Sequence, residues 1–425
     1  MKIHIKGGRL IDPKRGVDAA RDVYVAAGKV VGVGEAPAGY SANRVIDAGG
    51  LIVCPGLVDL SARLREPGFE YLATLESEMA AAIAGGVTSL ACPPDTDPPL
   101  DEPGLVRMLK FRAKTLNQAR VYPVGALTAG LKGERLTEMA ELVEAGCVAF
   151  SQADAPLTDN QVLYRALQYA ATFGFPVWLR PQDTALAHMG VAHDGQVATR
   201  LGLAAIPVCA ETVALSTMLI LARNTGARLH FARLSSAEGI AMVREARRTG
   251  LPVTCDVGIH HVHLSEMDIG HFDPNTHLTP PLRSMRDRDA LRTGLADGTV
   301  DAICSDHTPI DEDVKQLPFA EAESGATGLE VLLPLTLKWA EEAGQSLSLA
   351  LGRITCEAAR VLNVDAGHLA PGNAADVCIF DPERCWRVGA ETLRSLGKNT
   401  PYRGIELKGK VRYTLVDGQV VYEAK

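Results

Sequence analysis

Arginine side chains recur in this chain where short apolar runs end, and an aspartate follows the last of those runs. Arg63, Arg180 and Arg233 follow three of the runs, and Asp306 follows the final one. A guanidinium group stays protonated and offers only hydrogen-bond donors, so it pairs with carboxylates and phosphates. Brought together, these residues would form either a network of internal ion pairs or a pocket that binds an anionic ligand.

The apolar runs alternate with stretches of helical periodicity, such as Leu75 to Ala84. Continuous apolar runs are typical of parallel strands buried on both faces, and their alternation with helices predicts an α/β fold, a (β/α)8 TIM barrel. In such a barrel the side chains that carry chemistry lie at the C-terminal ends of the strands. The predicted strands are Leu57 to Leu60, Thr88 to Cys92, Val121 to Val124, Cys147 to Phe150, Val177 to Leu179, Leu229 to Ala232, Val253 to Asp256 and Val300 to Cys304.

Shorter alternating segments, punctuated by glycine and proline, occur at both ends of the chain and predict a small β-structure. We expect the two ends to form one β-sandwich, with residues 1–54 and 366–425 in the sandwich and residues 55–365 in the barrel. The predicted segments are Ile3 to Ile5, Asp22 to Val25, Lys29 to Val33, Arg44 to Ile46, Ala375 to Phe380, Lys410 to Leu415 and Gln419 to Tyr422.

The composition is that of an ordinary globular protein, with 47% hydrophobic and 22% charged residues. A formal net charge of −8 argues against binding to nucleic acid or to an anionic membrane, because both require a basic face. No apolar run reaches the roughly 18 residues that predict a membrane span, so we expect a soluble cytoplasmic protein. The nine cysteines are scattered without a CxxC pair, which predicts reduced core thiols.

Several segments resemble those of dihydroorotases, which belong to the amidohydrolase superfamily. The segment from Asp59 to Gly68 resembles the signature D-x-H-x-H-x-R-E-P-G with both histidines missing. Other segments match in the same order along the chain, so the resemblance runs from the first strand to the last. They are Pro93 to Pro99 (M-P-N-T-N-P-P), Val148 to Ser151 (A-F-S/T), Thr279 to Arg283 (N-P-P-L-R), Ser305 to Ile310 (T-D-H-A-P-H) and Pro371 to Asp376 (E-G-x-x-A-D).

The resemblance implies a zinc centre, yet the zinc-ligand positions of the family hold other residues here. Only Asp306 survives, and Asp154 lies one or two places beyond the expected bridging carboxylate. A catalytic zinc takes three protein ligands, and guanidinium groups repel the cation, so we expect no zinc cofactor and treat Asp306 as vestigial. The replaced positions are Ser61, Arg63, Gln152 or Ala153, Arg180 and Arg233.

The remaining histidines do not restore that ligand set. His260 and His261 match a P-H-H-L segment outside the family's metal ligands, and with His263 they are predicted to be structural. His230 and His307 match positions beside the ligands rather than at them. The lysine that relatives carbamylate is absent from the fourth-strand segment, since Lys132 falls in a loop before it.

The resemblance also implies a clamp for a substrate carboxylate, and this clamp is damaged. Arg65 remains, as a vestigial ligand-binding residue, whereas Asp95 and Ile310 replace an asparagine and a histidine. Aspartate would repel an anionic substrate and isoleucine offers no donor.

Two interpretations of the arginines remain open. In the first, Arg63, Arg180 and Arg233 replace the charge of the lost metal and pair with Asp306, Asp59 or Glu66, which keeps the barrel folded. In the second, they form a new anion-binding cluster, as in a metabolite sensor.

The functional prediction is a pseudoenzyme. In some bacteria a non-catalytic dihydroorotase-like chain assembles with catalytic chains of aspartate carbamoyltransferase, in the pathway of pyrimidine biosynthesis, and this sequence resembles that chain. The resemblance implies a structural role in such a hetero-oligomer, with contacts between copies of the chain as well. The rivals are the metabolite sensor and a metal-independent hydrolase that uses Asp306 or His260.

Overall fold

A computed structural model describes residues 1–424 of the chain. The N-terminal segment consists of short strands that belong to two sheets. Their bounds are β1 (Lys2–Lys6), β2 (Arg9–Asp12), β3 (Val17–Ala20), β4 (Val23–Ala26), β5 (Lys29–Val33), β6 (Arg44–Asp47) and β7 (Ile52–Pro55).

The middle of the chain forms a sheet of eight parallel strands that curls into a barrel, so the (β/α)8 prediction is confirmed. An isolated parallel bridge between Ala62 and His307, just beyond the first and last strands, closes it. The barrel strands are β8 (Leu57–Asp59), β9 (Val87–Cys92), β10 (Arg120–Ala126), β11 (Ala149–Ser151), β12 (Val177–Leu179), β15 (Leu229–Phe231), β16 (Val253–Gly258) and β17 (Ala302–Cys304), and β13 (Ala192–His193) pairs with β14 (Ala205–Ile206) outside the barrel.

Helices cover the barrel and bury their apolar faces against it. Helix α1 begins after Thr74, whose hydroxyl accepts a hydrogen bond from the amide of Ser77 in a capping box. The helices are α1 (Leu75–Ala84), α2 (Pro103–Leu116), α3 (Met139–Ala145), α4 (Asn160–Phe173), α5 (Thr184–Ala187), α6 (Gln196–Leu201), α7 (Val208–Thr225), α8 (Ala237–Arg248), α9 (Ile259–His263), α10 (Met285–Asp297), α11 (Leu332–Glu342), α12 (Leu347–Arg353) and α13 (Cys356–Leu362).

The C-terminal strands β18 (Val377–Arg387), β19 (Glu406–Val416) and β20 (Gln419–Glu423) join the N-terminal strands. One sheet has the order β5-β4-β1-β6 and the other the order β20-β19-β18-β7-β2-β3. Both ends of the chain therefore build one two-sheet unit, while the predicted boundaries at residues 54 and 365 stay predictions. Ile3, Ile5, Val53 and Ile379 belong to its buried core.

The structure also tests the predictions for the cysteines and for membrane-spanning segments. Six cysteines are buried free thiols, but the core prediction is wrong for Cys209 and Cys385, which are exposed, and Cys356 is half-buried. Within residues 1–424, none of the helices combines the length and apolarity that crossing a bilayer requires.

Candidate functional site

Asp154 lies at the centre of the C-terminal end of the barrel and accepts hydrogen bonds from three arginines. Arg63 donates through Nη2 to Asp154 Oδ2 at 2.7 Å. Arg233 donates through Nη2 to Asp154 Oδ1 at 2.6 Å, and Arg180 donates to the same oxygen through Nε. One carboxylate thus holds together arginines from three different barrel strands.

Two further carboxylates complete this arrangement. Arg233 Nη1 lies 3.0 Å from Asp306 Oδ1, and Arg63 Nη1 lies 3.5 Å from the same oxygen. Arg63 also donates through Nε to Asp95 Oδ2 at 2.7 Å. Three guanidinium groups therefore face three carboxylates, and we call these six residues the charge cluster. Its formal charge is zero.

Strand ends and their loops position the charge cluster. Arg63 follows β8, Asp154 follows β11, and Arg233 follows β15. The backbone turns sharply at these exits, where four residues other than glycine adopt the left-handed conformation, which is costly for them. Their φ angles are 64° at Arg65, 50° at Ala153, 56° at Arg233 and 47° at Asp306.

The pKa values of two acids in the cluster move in opposite directions, because burial and the neighbouring arginines oppose each other. Burial alone would raise the pKa of Asp154, but Arg233, Arg180 and Arg63 outweigh it and hold that pKa well below its usual range. Burial dominates at Asp306 and raises its pKa, despite Arg233 and Arg63 beside it. Asp154 therefore stays ionised, and it is the principal countercharge of the arginines.

These residues do not fit the zinc centre that the family resemblance implies. Guanidinium groups occupy the ligand positions at 63, 180 and 233, and they can neither lose a proton nor donate a lone pair. Gln152 accepts a hydrogen bond from Thr128 and donates one to the carbonyl of Leu131, so its amide is already engaged. Among residues 1–424, no three His, Cys, Asp or Glu side chains converge as metal ligands would.

The predicted pairing of the arginines needs correction for two acids. Asp59 accepts hydrogen bonds from the amide and hydroxyl of Ser305, and burial raises its pKa to about 6. Glu66 accepts from the amide of Leu75 and pairs with Arg112. Asp59 ends β8 and Glu66 lies in the loop after it, and both acids bind backbone or other side chains, so neither neutralises the charge cluster.

The histidines lie near the charge cluster without joining it. His230 hydrogen-bonds Thr254 at 2.9 Å and Asp256 at 3.0 Å, while His307 bonds Glu78 at 2.6 Å. His261 and His263 bond the carbonyls of Pro280 and Leu335.

His260 is the exception, since neither ring nitrogen has a hydrogen-bond partner within the part of the chain that the structure describes. Its ring stacks on Tyr402 with 5.7 Å between centroids, and burial lowers its pKa to about 3. A neutral imidazole in an apolar stack is a core group, so the geometry does not favour His260 as the base of a hydrolase.

The residues at the positions of the implied substrate clamp make contacts within the protein. Arg65 donates through Nε to the carbonyl of Pro309 at 2.8 Å, and Ile310 is buried with its amide bonded to Asn399. The expectation that Asp95 repels an anionic substrate omitted its actual partner, Arg63. Ser61 is buried, and its carbonyl accepts from the amide of His307.

Asp154 is the site residue that the sequence analysis did not predict. Position-by-position matching placed it too late, but the left-handed turn at Ala153 precedes it, and its carboxylate meets the arginines of the other strands. The available signal was charge balance, because three converging arginines and one surviving aspartate leave two positive charges without partners. Such a count calls for two more acids nearby, and in the structure these are Asp154 and Asp95.

Comparisons with known proteins identify the family of the chain. The dihydroorotase-like family model matches residues 50–239 and the amidohydrolase family model matches residues 243–421. A dihydroorotase-like protein of Pseudomonas aeruginosa is 46% identical over the full length of both chains, and a dihydroorotase of Geobacter sp. strain M21 is 42% identical over the same span. The structure of an L-hydantoinase (dihydropyrimidinase) from Arthrobacter aurescens superposes with a TM-score of 0.89 at 26% identity, covering 99% of this chain and 96% of that one. The chain belongs to the dihydroorotase-like family of amidohydrolases.

Proposed function

We propose that this chain is a catalytically inactive dihydroorotase-like protein that serves as a structural partner of aspartate carbamoyltransferase catalytic chains. The observation that carries the first half of the proposal is the charge cluster. Arg63, Arg180 and Arg233 fill the place where a hydrolase of this family holds zinc, and Asp154 and Asp306 bind them there. Water activation by a metal lacks the ligands that it needs, since Asp306 alone remains of the family's set.

A second support is the set of buried hydrogen bonds around the former metal position. Glu78 of α1 is buried and bonds His307 after β17 and the hydroxyl of Ser395 near the C-terminal strands. Arg283 donates to the hydroxyl of Ser235 and the carbonyl of Ile206. A barrel whose buried polar groups are bonded to one another in this way, without a catalytic metal, suits a protein that offers its surface to a partner.

The identity of that partner rests on family precedent, since non-catalytic dihydroorotase-like chains assemble with this transferase in some bacteria. The Pseudomonas aeruginosa and Pseudomonas putida relatives, at 46% and 44% identity, are named dihydroorotase-like proteins. The proposal therefore assigns the chain a place in pyrimidine biosynthesis without a chemical step of its own.

Two measurements test the two halves separately. Purified protein is assayed for hydrolysis of dihydroorotate and of hydantoin with zinc supplied, and we expect no turnover above buffer. The transferase catalytic chain of the same organism is then purified with and without this chain, and its mass and activity are compared. We expect a large mixed complex, and a transferase that assembles and works normally alone would refute the structural role.

A variant of the charge cluster tests whether the former active site contributes to binding of the transferase. Asp154→Asn weakens the former active site without altering the outer surface, so it is expected to bind the transferase as the wild type does, provided it folds. Failure of Asp154→Asn to join the complex while its circular dichroism stays native would place the partner at the barrel mouth instead.

A further inference from the structure

Helix α2 is basic, although the whole chain has a formal net charge of −8. It contains four cationic residues and no acidic one, and the cations are Arg107, Lys110, Arg112 and Lys114. Of these four, within residues 1–424, only Arg112 has an ion-pair partner, the buried Glu66. The other three are exposed, so α2 carries a local positive charge on the surface of an acidic protein.

An exposed aromatic ring lies among these unpaired cations. Phe111 is 70% exposed, although burying a ring of this size is favourable. Arg107, Lys110, Phe111 and Lys114 follow the helical spacing i, i+3, i+4 and i+7, so they share one side of α2, and we call these four residues the α2 stripe. An aromatic side chain surrounded by charges of one sign is suited to bind a partner of the opposite charge.

A cavity of about 450 Å³ lies beside the α2 stripe, between α2 and the turn that joins β19 to β20. Phe111 and the two lysines of the stripe contribute to its lining. Arg120 also lines the cavity, but Asp376 and Asp417 already neutralise it. The unbalanced charge of the cavity therefore comes from the two lysines, and its volume is sufficient for an apolar side chain packed against Phe111.

We infer that the α2 stripe and its cavity bind an acidic segment of the transferase catalytic chain. An apolar side chain of that segment enters the cavity and packs on Phe111, while flanking carboxylates pair with Arg107, Lys110 and Lys114. The inference rests on the proposed function, because it assigns a surface to the partner named there. It adds which face of the barrel is used and what chemistry the partner must present.

The helix beside α2 limits where the acidic segment can lie. Helix α3 packs against α2 and exposes Glu141 and Glu144, whose charges repel carboxylates. A stable interface buries about 800 Å² per partner, which is more than one helical stripe supplies. The segment is therefore expected to continue over the cavity and the turn between β19 and β20 rather than over α3.

An anionic membrane is the rival occupant, since basic helices with exposed apolar side chains also bind lipid surfaces. The apolar face of α2 is unavailable for this, because Val106, Leu109 and Ala113 are buried in the barrel core. Outside that face only Phe111 and Met108, which is 39% exposed, could enter a bilayer. So small an apolar area favours a protein partner with its own apolar anchor.

Surface plasmon resonance of the full chain on immobilised transferase catalytic chain tests the inference. Phe111→Ala is expected to weaken the complex by at least about tenfold, because the partner loses its contact in the cavity. Lys110→Gln combined with Lys114→Gln should slow association and make its rate less dependent on salt, because two steering charges are gone.

Control variants carry matched changes away from α2. Met285→Ala removes an exposed apolar side chain from α10. Arg248→Gln combined with Arg286→Gln removes two exposed positive charges. Both controls should bind the transferase as the wild type does. The altered positions are all exposed, and thermal unfolding midpoints verify that each variant is folded.

Three results would contradict the inference, and they differ in what else they contradict. A wild type that does not bind the transferase refutes the proposed function together with the α2 surface. A wild type that binds, with α2 variants unchanged or with controls weakened equally, refutes the α2 surface alone. Binding of the wild type to phosphatidylglycerol vesicles that is lost in Phe111→Ala would show that the stripe serves a membrane instead.

Discussion

Arg233 Nη2 lies 2.6 Å from Asp154 Oδ1, and this contact joins the exit of β15 to the loop after β11. The other oxygen of the same carboxylate is bound by Arg63 from the exit of β8. The Asp154 carboxylate therefore connects the ends of strands on different sides of the barrel mouth, as a bridging metal ligand would. The stability of the mouth should depend on this one carboxylate more than on any surface ion pair.

Asp154→Asn is expected to lower the free energy of unfolding by about 3 kcal/mol, because it leaves buried guanidinium charges without a partner. The value is at the low end for a buried pair, since the Asp154 side chain is 30% exposed and water screens part of its charge. Urea denaturation measures it. Asp289→Asn, at an exposed ion pair on α10, is the control and should change stability by less than about 0.5 kcal/mol.

Asp154→Ala should be rescued by a small anion. The alanine variant leaves room beside three arginines, so formate is expected to raise its unfolding temperature while leaving that of the wild type unchanged. Chloride at equal ionic strength controls for screening. Equal stabilisation of the wild type by formate would instead indicate an anion pocket that already exists, and would favour the sensor interpretation.

The pH dependence of stability should reveal Asp59. Burial raises its pKa to about 6 in the folded protein, against an unfolded value near 4, so the folded state binds more protons between these limits. Stability contributed at this position is therefore lost as pH rises from about 4 to about 6, by roughly 3 kcal/mol. Subtracting the curve of Asp59→Asn from that of the wild type isolates this term, and a flat difference would contradict it.

Glu78 should be the least replaceable acid outside the charge cluster. Glu78→Ala removes the partner of His307 and the acceptor for Ser395, both buried, and is expected to cost about 3–5 kcal/mol of unfolding free energy. Glu78→Gln keeps a hydrogen-bonding amide of similar size and should cost less. The two variants are compared by urea denaturation, and equal losses would show that the carboxylate itself, which both variants lack, holds this site rather than packing.

Zinc should neither bind nor stabilise the wild type. Permanent positive charge at Arg63, Arg180 and Arg233 opposes the cation, so purified protein should contain well under one zinc per chain. A chelator should leave the unfolding temperature where it was, because a bound metal would raise it by mass action. A stoichiometric metal whose removal lowers that temperature would refute the pseudoenzyme proposal.

The sequence predicted the barrel closely because buried parallel strands are continuously apolar. The predicted bounds of β12 and α1 coincide with those of the structure. Strands β18 and β19 run for 11 residues each, longer than predicted, because residues of mixed polarity and exposure continue their ladder where the apolar pattern ends. The length of this ladder depends on the pairing of β18 with β19, and a local sequence pattern does not predict that pairing.

The contacts of the site were harder to predict, for a physical reason. Positions 63, 180 and 233 follow from strand ends, but which acid each arginine reaches depends on loop turns such as the left-handed one at Ala153. Glu78 resembled an ordinary acid of helix α1, yet its partners lie 229 and 317 residues further along the chain. Only tertiary structure brings such groups together.

The left-handed backbone at Arg233 and Asp306 has a consequence for evolution and design. Holding such residues in this conformation costs roughly 1 kcal/mol or more each, and the barrel sustains it through bonds such as that from the Arg233 amide to Asp256 at 2.6 Å. The strain arises from the Cβ atom and the main chain, so it is similar for any side chain that is not branched at Cβ. A new ligand set can therefore be introduced, by selection or by mutagenesis, through side-chain exchange alone on loops whose course is already fixed.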